Sequence, residues 1–239
     1  MCTVTFIAQK RGYCLGMNRD EKLTRPAGLA PGKRVVSGET VLGPSESNGG
    51  TWIALNGRGV TLALINWYSI AARVKAQPVS RGEVVKAVSV AAAAEIADNA
   101  LVELPLNRIN PFRLIGIYPA TNEIAEWRWN LNRLVRNNHS WHTQQWISSG
   151  YDESKAELIR SRTFRGAQKQ ASAGSLEWLR RLHRSHTPES GPFSTCMLRK
   201  DAATVSYTEI SVAGQRARMR YYAGAPCHSK FSVHQIRLR

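Results

Sequence analysis

Acid is what this chain is short of. Its 239 residues carry 17 Asp and Glu against 33 Lys and Arg, a formal net charge of +16. A hydrophobic content of 43% excludes a disordered, charge-solvated chain. Cysteine is sparse as well. Cys2, Cys14, Cys196 and Cys227 are widely spread, with no C-x-x-C pair. That spacing argues against a zinc ribbon or a disulfide framework, and for reduced thiols in a cytoplasmic setting. No basic segment followed by an apolar one stands at the start, so no signal peptide is expected. The longest apolar run, Val88 to Ala94, is far too short to span a bilayer. P-loop, G-x-G-x-x-G and H-E-x-x-H patterns are all missing, which removes the common signatures of nucleotide and zinc-protease sites.

The surplus of positive charge raises the question of a nucleic-acid or anionic partner. The basic residues are scattered from Lys10 to Arg239. They concentrate at Arg180, Arg181 and Arg184, at Arg216, Arg218 and Arg220, and at Arg237 and Arg239. No recognised nucleic-acid motif accompanies them. A solvated basic surface is the expectation, without a specific nucleic-acid partner. An anionic small molecule such as a CoA thioester or a phosphate is the intermediate case.

Turn and periodicity signals point to an α+β fold in a single domain over residues 1–239. A β-type run follows Cys2, turns at Lys10-Arg11-Gly12 and returns through Tyr13 to Met17. Residues 22–50 are rich in Gly, Pro and Ser and read as a long loop with short extended pieces. Strands are expected over Thr51 to Leu55 and Val60 to Asn66, joined at Asn56-Gly57. Ser80-Arg81-Gly82-Glu83 has capping-box spacing ahead of one or two helices ending near Leu101. A hairpin is expected from Phe112 to Trp129. Helices follow over residues 152–168, with Asp152 as N-cap, and 175–186. Thr195 to Arg199, Val205 to Val212 and Gln215 to Ala223 read as the last strands.

The histidines form no metal signature. The pairs His139-x-x-His142 and His183-x-x-His186 could in principle hold a metal or haem, yet surface or capping roles are the expectation. Trp127, Trp129, Trp141 and Trp146 read as packing residues.

Cys2 is the residue with the most chemical content. Only Met1 precedes it. Removal of Met1 would leave a thiol and an α-amine on one residue. That amine, with an ordinary pKa of about 7.7–8.0, could act as base for its own thiol. The hairpin brings Asn18-Arg19-Asp20-Glu21 back beside it. A three-residue loop puts Cys2 opposite Asp20; a two-residue loop puts it opposite Arg19. Asp20 could hold the ammonium, and Arg19 could favour the thiolate. Asn66, at a strand end, could donate to an oxyanion or simply close a turn.

Met1-Cys2, Asn18-Arg19-Asp20-Glu21, Arg25-Pro26, Gly49-Gly50-Thr51-Trp52, Gly57-Arg58, Leu64-Ile65-Asn66 and Arg81-Gly82 stand in one order over the first third of the chain. As a set they resemble the NRDE family, also named after the Transport and Golgi organisation protein two. That family is similar to N-terminal nucleophile (Ntn) hydrolases, and to the choloylglycine hydrolase branch in particular. The resemblance implies a four-layer αββα sandwich with two antiparallel sheets. It implies amide or thioester chemistry at Cys2, with Asp20, Arg19 and Asn66 in catalytic roles. It implies Asn18, Glu21, Arg25, Trp52 and Ser149 as substrate-binding residues. No cofactor or metal is required; haem or a CoA thioester is a possible ligand, and a non-enzymatic carrier of either is the alternative.

Departures from the pattern are local. The branch has Arg-Asn-Leu-Asp where this chain has Met17-Asn18-Arg19-Asp20. Ile65 replaces a usual Thr. Ser148-Ser149 replaces a Ser-Asn pair, and Pro192-Phe193 a Thr-Arg pair.

Overall fold

The computed structural model describes residues 2–239, so the expectation that Met1 is removed lies outside the described residues. The chain divides into two compact units. Unit 1 is formed by residues 1–28, 142–214 and 218–235; unit 2 takes residues 29–141 with short pieces near the C-terminus. All strand pairings described below are antiparallel.

The six-stranded sheet has the order β10-β1-β2-β11-β12-β13. Its strands are β1 (Cys2–Gln9), β2 (Gly12–Lys22), β10 (Gln144–Ser148), β11 (Ala202–Ala213), β12 (Arg216–Tyr222) and β13 (Phe231–Arg237). The β1–β2 turn leaves Gln9 opposite Gly12 and Cys2 opposite Arg19, so the two-residue loop wins. Gly12 is required there. Its φ is +117°, and an added Cβ would run into the Val212 carbonyl oxygen.

Helices α3 (Glu153–Gln168) and α4 (Leu176–Arg184) belong to the same unit. Asp152 caps α3 as expected, its side chain accepting from the Lys155 N–H at 2.9 Å. Ser175 does the same for α4, accepting from the Trp178 N–H. The faces they bury meet Ile7 and Cys14 through Phe164, Trp178, Leu179 and Leu182.

The seven-stranded sheet runs β3-β4-β5-β6-β7-β8-β9 in chain order, a plain meander. Its strands are β3 (Leu29–Val36), β4 (Glu39–Ser45), β5 (Ile53–Asn56), β6 (Thr61–Asn66), β7 (Phe112–Tyr118), β8 (Glu123–Trp129) and β9 (Leu134–His139). Helices α1 (Gly82–Val88) and α2 (Ala94–Val102) pack on it through Val84, Val85, Val88, Ala97 and Leu101.

Three readings need correction. Residues 22–50 are not a long loop: β3 and β4 pair through a tight turn at Ser37-Gly38, both at positive φ. Such turns match the twist of paired strands, and their Gly and Ser content imitates a loop. The capping box at Ser80 does not close. Arg81 is the N-cap of α1 without a side-chain bond, and Ser80 Oγ instead accepts from the Gly82 N–H. Thr195 to Arg199 forms only an isolated bridge, Leu198 to Ala203, while β9, β10 and β13 are additional strands.

Candidate active site at the start of the first strand

Directly opposed residues of neighbouring strands share a face. Across unit 1 this produces a row. Ser148 on β10 faces Cys2 on β1, Cys2 faces Arg19 on β2, and Arg19 faces Ser206 on β11. All four are buried. Ser148 Oγ makes no hydrogen bond among the described residues. A thiol therefore lies between a hydroxyl and a guanidinium on one sheet face. Burial pushes the Cys2 thiol above its ordinary value; Asp20 adds to the rise and Arg19 opposes it. These surroundings favour the neutral thiol.

Glu21 stands two residues beyond Arg19 on the same face. It receives Arg25 at 3.0 Å and approaches Arg19 at 3.7 Å. Burial favours its neutral form, but the Lys22 amide, Arg25 and Arg19 together hold the carboxyl below its usual range. Arg25 is itself exposed. Ser149 is buried and its Oγ accepts from the Tyr151 N–H.

The other face of β1 and β2 is polar and equally buried. Asp20 lies there with Thr3, Thr5 and Asn18. Arg160 of α3 donates to Asp20 Oδ2 at 3.2 Å and to Thr3 Oγ1 at 2.7 Å. Thr204 Oγ1 donates to Asp20 Oδ1 at 2.7 Å. The carboxylate is thus gripped at both oxygens beside the strand that carries the thiol.

Asn18 spends its side chain on the protein. Its Nδ2 donates to the His183 and Thr195 carbonyls, and its Oδ1 lies 3.1 Å from His183 Nδ1. Its amide ties β2 to the end of α4. His183 is not a surface histidine. It is fully buried, with Nε2 3.0 Å from Thr5 Oγ1. Burial, reinforced by the Arg160 charge, pushes its pKa down to about 3, so the ring is neutral. Gly16 makes room for it: an added Cβ would meet the ring at 2.9 Å and the Tyr207 hydroxyl at 3.0 Å.

Asn66 and Trp52 belong to unit 2. Asn66 ends β6 with its Nδ2 donating to the Tyr68 hydroxyl at 2.8 Å, and Trp52 is buried just before β5. His139 belongs to unit 2 and engages Glu126 at 2.9 Å, and His142 belongs to unit 1.

Sequence reasoning missed Ser148, Arg160 and His183. For Arg160 a signal existed: Ala156, Arg160 and Phe164 form the buried stripe of α3 at fourfold spacing, and a charge within such a stripe demands a buried partner. His183 is adjacent to Leu179 and Leu182 on the buried face of α4 in the same way.

The Transport and Golgi organisation 2 family model matches residues 1–129, more than half of the chain. No curated protein matches. Among solved structures, penicillin V acylase from Agrobacterium tumefaciens is similar at a TM-score of 0.58 and 12% identity, covering 99% of this chain and 86% of that one. Two variants of a conjugated bile acid hydrolase from Clostridium perfringens are similar at TM-scores of 0.55 and 0.57, each at 9% identity. They cover 98% and 100% of this chain and 97% and 98% of theirs. At such identities the likeness speaks for fold alone. The fold is of the Ntn-hydrolase type, two antiparallel sheets with their helix layers, as the sequence implied. No described helix is long and apolar enough to cross a membrane.

Proposed function

The chain belongs to the Transport and Golgi organisation 2 family, and we propose that it is an N-terminal-cysteine hydrolase or acyl transferase acting on an amide or thioester. One observation carries this reading: Cys2 opens β1 with Ser148 opposed on one side and Arg19 on the other. The solved neighbours, named as a bile acid hydrolase and a penicillin acylase, support the reaction class.

In the proposed reaction Met1 has been removed and the freed α-amine takes the Cys2 thiol proton. The sulfur attacks the carbonyl carbon, and the carbonyl π electrons move onto oxygen. Collapse breaks the bond to the leaving nitrogen or sulfur, which receives the proton from the ammonium. Water, or an acceptor amine or thiol, then gives a proton to the α-amine and displaces the Cys2 sulfur from the acyl group, and the ammonium returns that proton to the sulfur. Asp20, held by Arg160 and Thr204, orients the ammonium. Arg19 binds a substrate anion or stabilises the thiolate, and Ser148 donates to the substrate. Asn66 is a candidate by family resemblance only.

Intact mass spectrometry of protein from its native host, followed by a thiol-reactive acyl probe, tests the reading. A chain starting at Cys2, whose N-terminal peptide carries the acyl label in wild type and not in Cys2→Ala, is the expected result. A retained Met1, with haem or acyl-CoA bound equally by wild type and Cys2→Ala, would establish the carrier instead.

A further inference from the structure

Sequence spacing separates the cysteines, but folding brings two of them together far from Cys2 in the chain. Cys196 Sγ and Cys227 Sγ lie 3.5 Å apart. A ring nitrogen of His186 completes a group whose three donor atoms all lie within 4.8 Å of one another. From these observations we propose that His186, Cys196 and Cys227 form a binding site for a zinc-type divalent cation with an open fourth position.

The framework is built by local hydrogen bonds. The Cys196 N–H donates to the Ser185 carbonyl at 2.9 Å, which holds that segment beside the residue that follows α4 and precedes His186. The Cys227 side arrives on a turn in which Ala225 O accepts from the N–H groups of His228 and Ser229. The stretch after α4 and the turn that carries Cys227 thus converge on one point.

The sulfur separation fits shared ligation of one ion. Tetrahedral ligation at about 2.3 Å per sulfur puts two thiolates about 3.8 Å apart, near the separation seen here. A disulfide needs sulfurs at about 2.05 Å. The donor set of two sulfurs and one imidazole suits a borderline-soft ion.

The second observation is an orphan. His186 Nδ1 is shielded from solvent and makes no hydrogen bond among the described residues. A buried imidazole nitrogen without a partner is a standing cost that ligation, directly or through ring reorientation, would remove. His228 Nδ1 lies 3.1 Å from Cys227 Sγ, where it can donate to a thiolate and tune it without ligating. On binding, each thiol releases its proton to solvent and each sulfur donates a lone pair to the ion.

Reduced, chelator-treated full-length protein titrated with Co(II), followed by exchange with Zn(II), is the test. Wild type should give thiolate-to-cobalt charge-transfer absorption saturating at about one equivalent per chain, and a raised Tm with zinc. Cys227→Ser, a change at an exposed position, should abolish both effects while leaving the metal-free Tm near that of wild type. His186→Gln should weaken binding by more than about tenfold, and Cys14→Ala should leave it unchanged. Three outcomes overturn the site: no thiolate band in wild type, an unchanged band in Cys227→Ser, or a chain that is always isolated two hydrogens lighter with Cys196 and Cys227 joined.

Discussion

Asp20 Oδ2 lies 3.2 Å from Arg160 Nη1, and neither side chain has any solvent exposure. This pair connects β2 to α3 and fixes the carboxylate that neighbours Cys2. Removing one partner strands a charge in the interior, whereas replacing both removes the problem.

Arg160→Met should therefore destabilise the protein by about 3–5 kcal/mol, and the double change with Asp20→Asn should regain most of it. Urea denaturation of the two singles and the double gives the coupling. Additive effects would show that the pair is not a unit.

His183 makes stability depend on pH. Its folded pKa of about 3 lies below the ordinary value of 6.5. Between those values the unfolded chain binds the extra proton, so stability is full above about 6.5 and falls as pH drops toward 3. The slope for one proton is about 1.4 kcal/mol per pH unit. His183→Gln should flatten this profile over pH 4–6, read from urea midpoints.

Thiol reactivity follows exposure. With Met1 retained and no metal present, Cys227, which is exposed, should alkylate well before Cys2, which is buried with a raised thiol. Once Met1 is gone, Cys2 labelling should accelerate as the amine becomes a base. Peptide-resolved iodoacetamide labelling of both forms across pH distinguishes them, and identical Cys2 rates would argue against the amine.

Gly16→Ala should cost about 1–3 kcal/mol, because its Cβ would press on the His183 ring and the Tyr207 hydroxyl. Loss should show as a lower Tm with an unchanged fold by circular dichroism. A neutral result would mean that the imidazole shifts freely.

The polar face of the first hairpin is a test of how far residues speak for themselves. Thr3 and Thr5 alternate with Cys2, Val4 and Phe6, and such alternation normally means one wet face. Here both faces are buried. What satisfies the polar one is Arg160 and His183, more than 130 residues away in the chain. No pattern within β1 and β2 could announce those partners.

Local chemistry was legible from the residues alone. The N-terminal hairpin, the Asp152 cap, the Asn56 turn and the β7–β8 hairpin depend on contacts between near neighbours, which residue type largely dictates. The ordered set of motifs from Met1-Cys2 to Arg81-Gly82 likewise carried the family and the fold. Only the tertiary structure decided the rest. It chose Arg19 over Asp20 as the residue opposite Cys2, a difference of one loop residue that reverses the faces. It put Ser148 beside the thiol, buried Arg160 and His183, and gathered His186, Cys196 and Cys227. Each of these depends on segments whose approach is set by the packing of whole helices and strands, and that packing is a property of the folded chain rather than of any window of it.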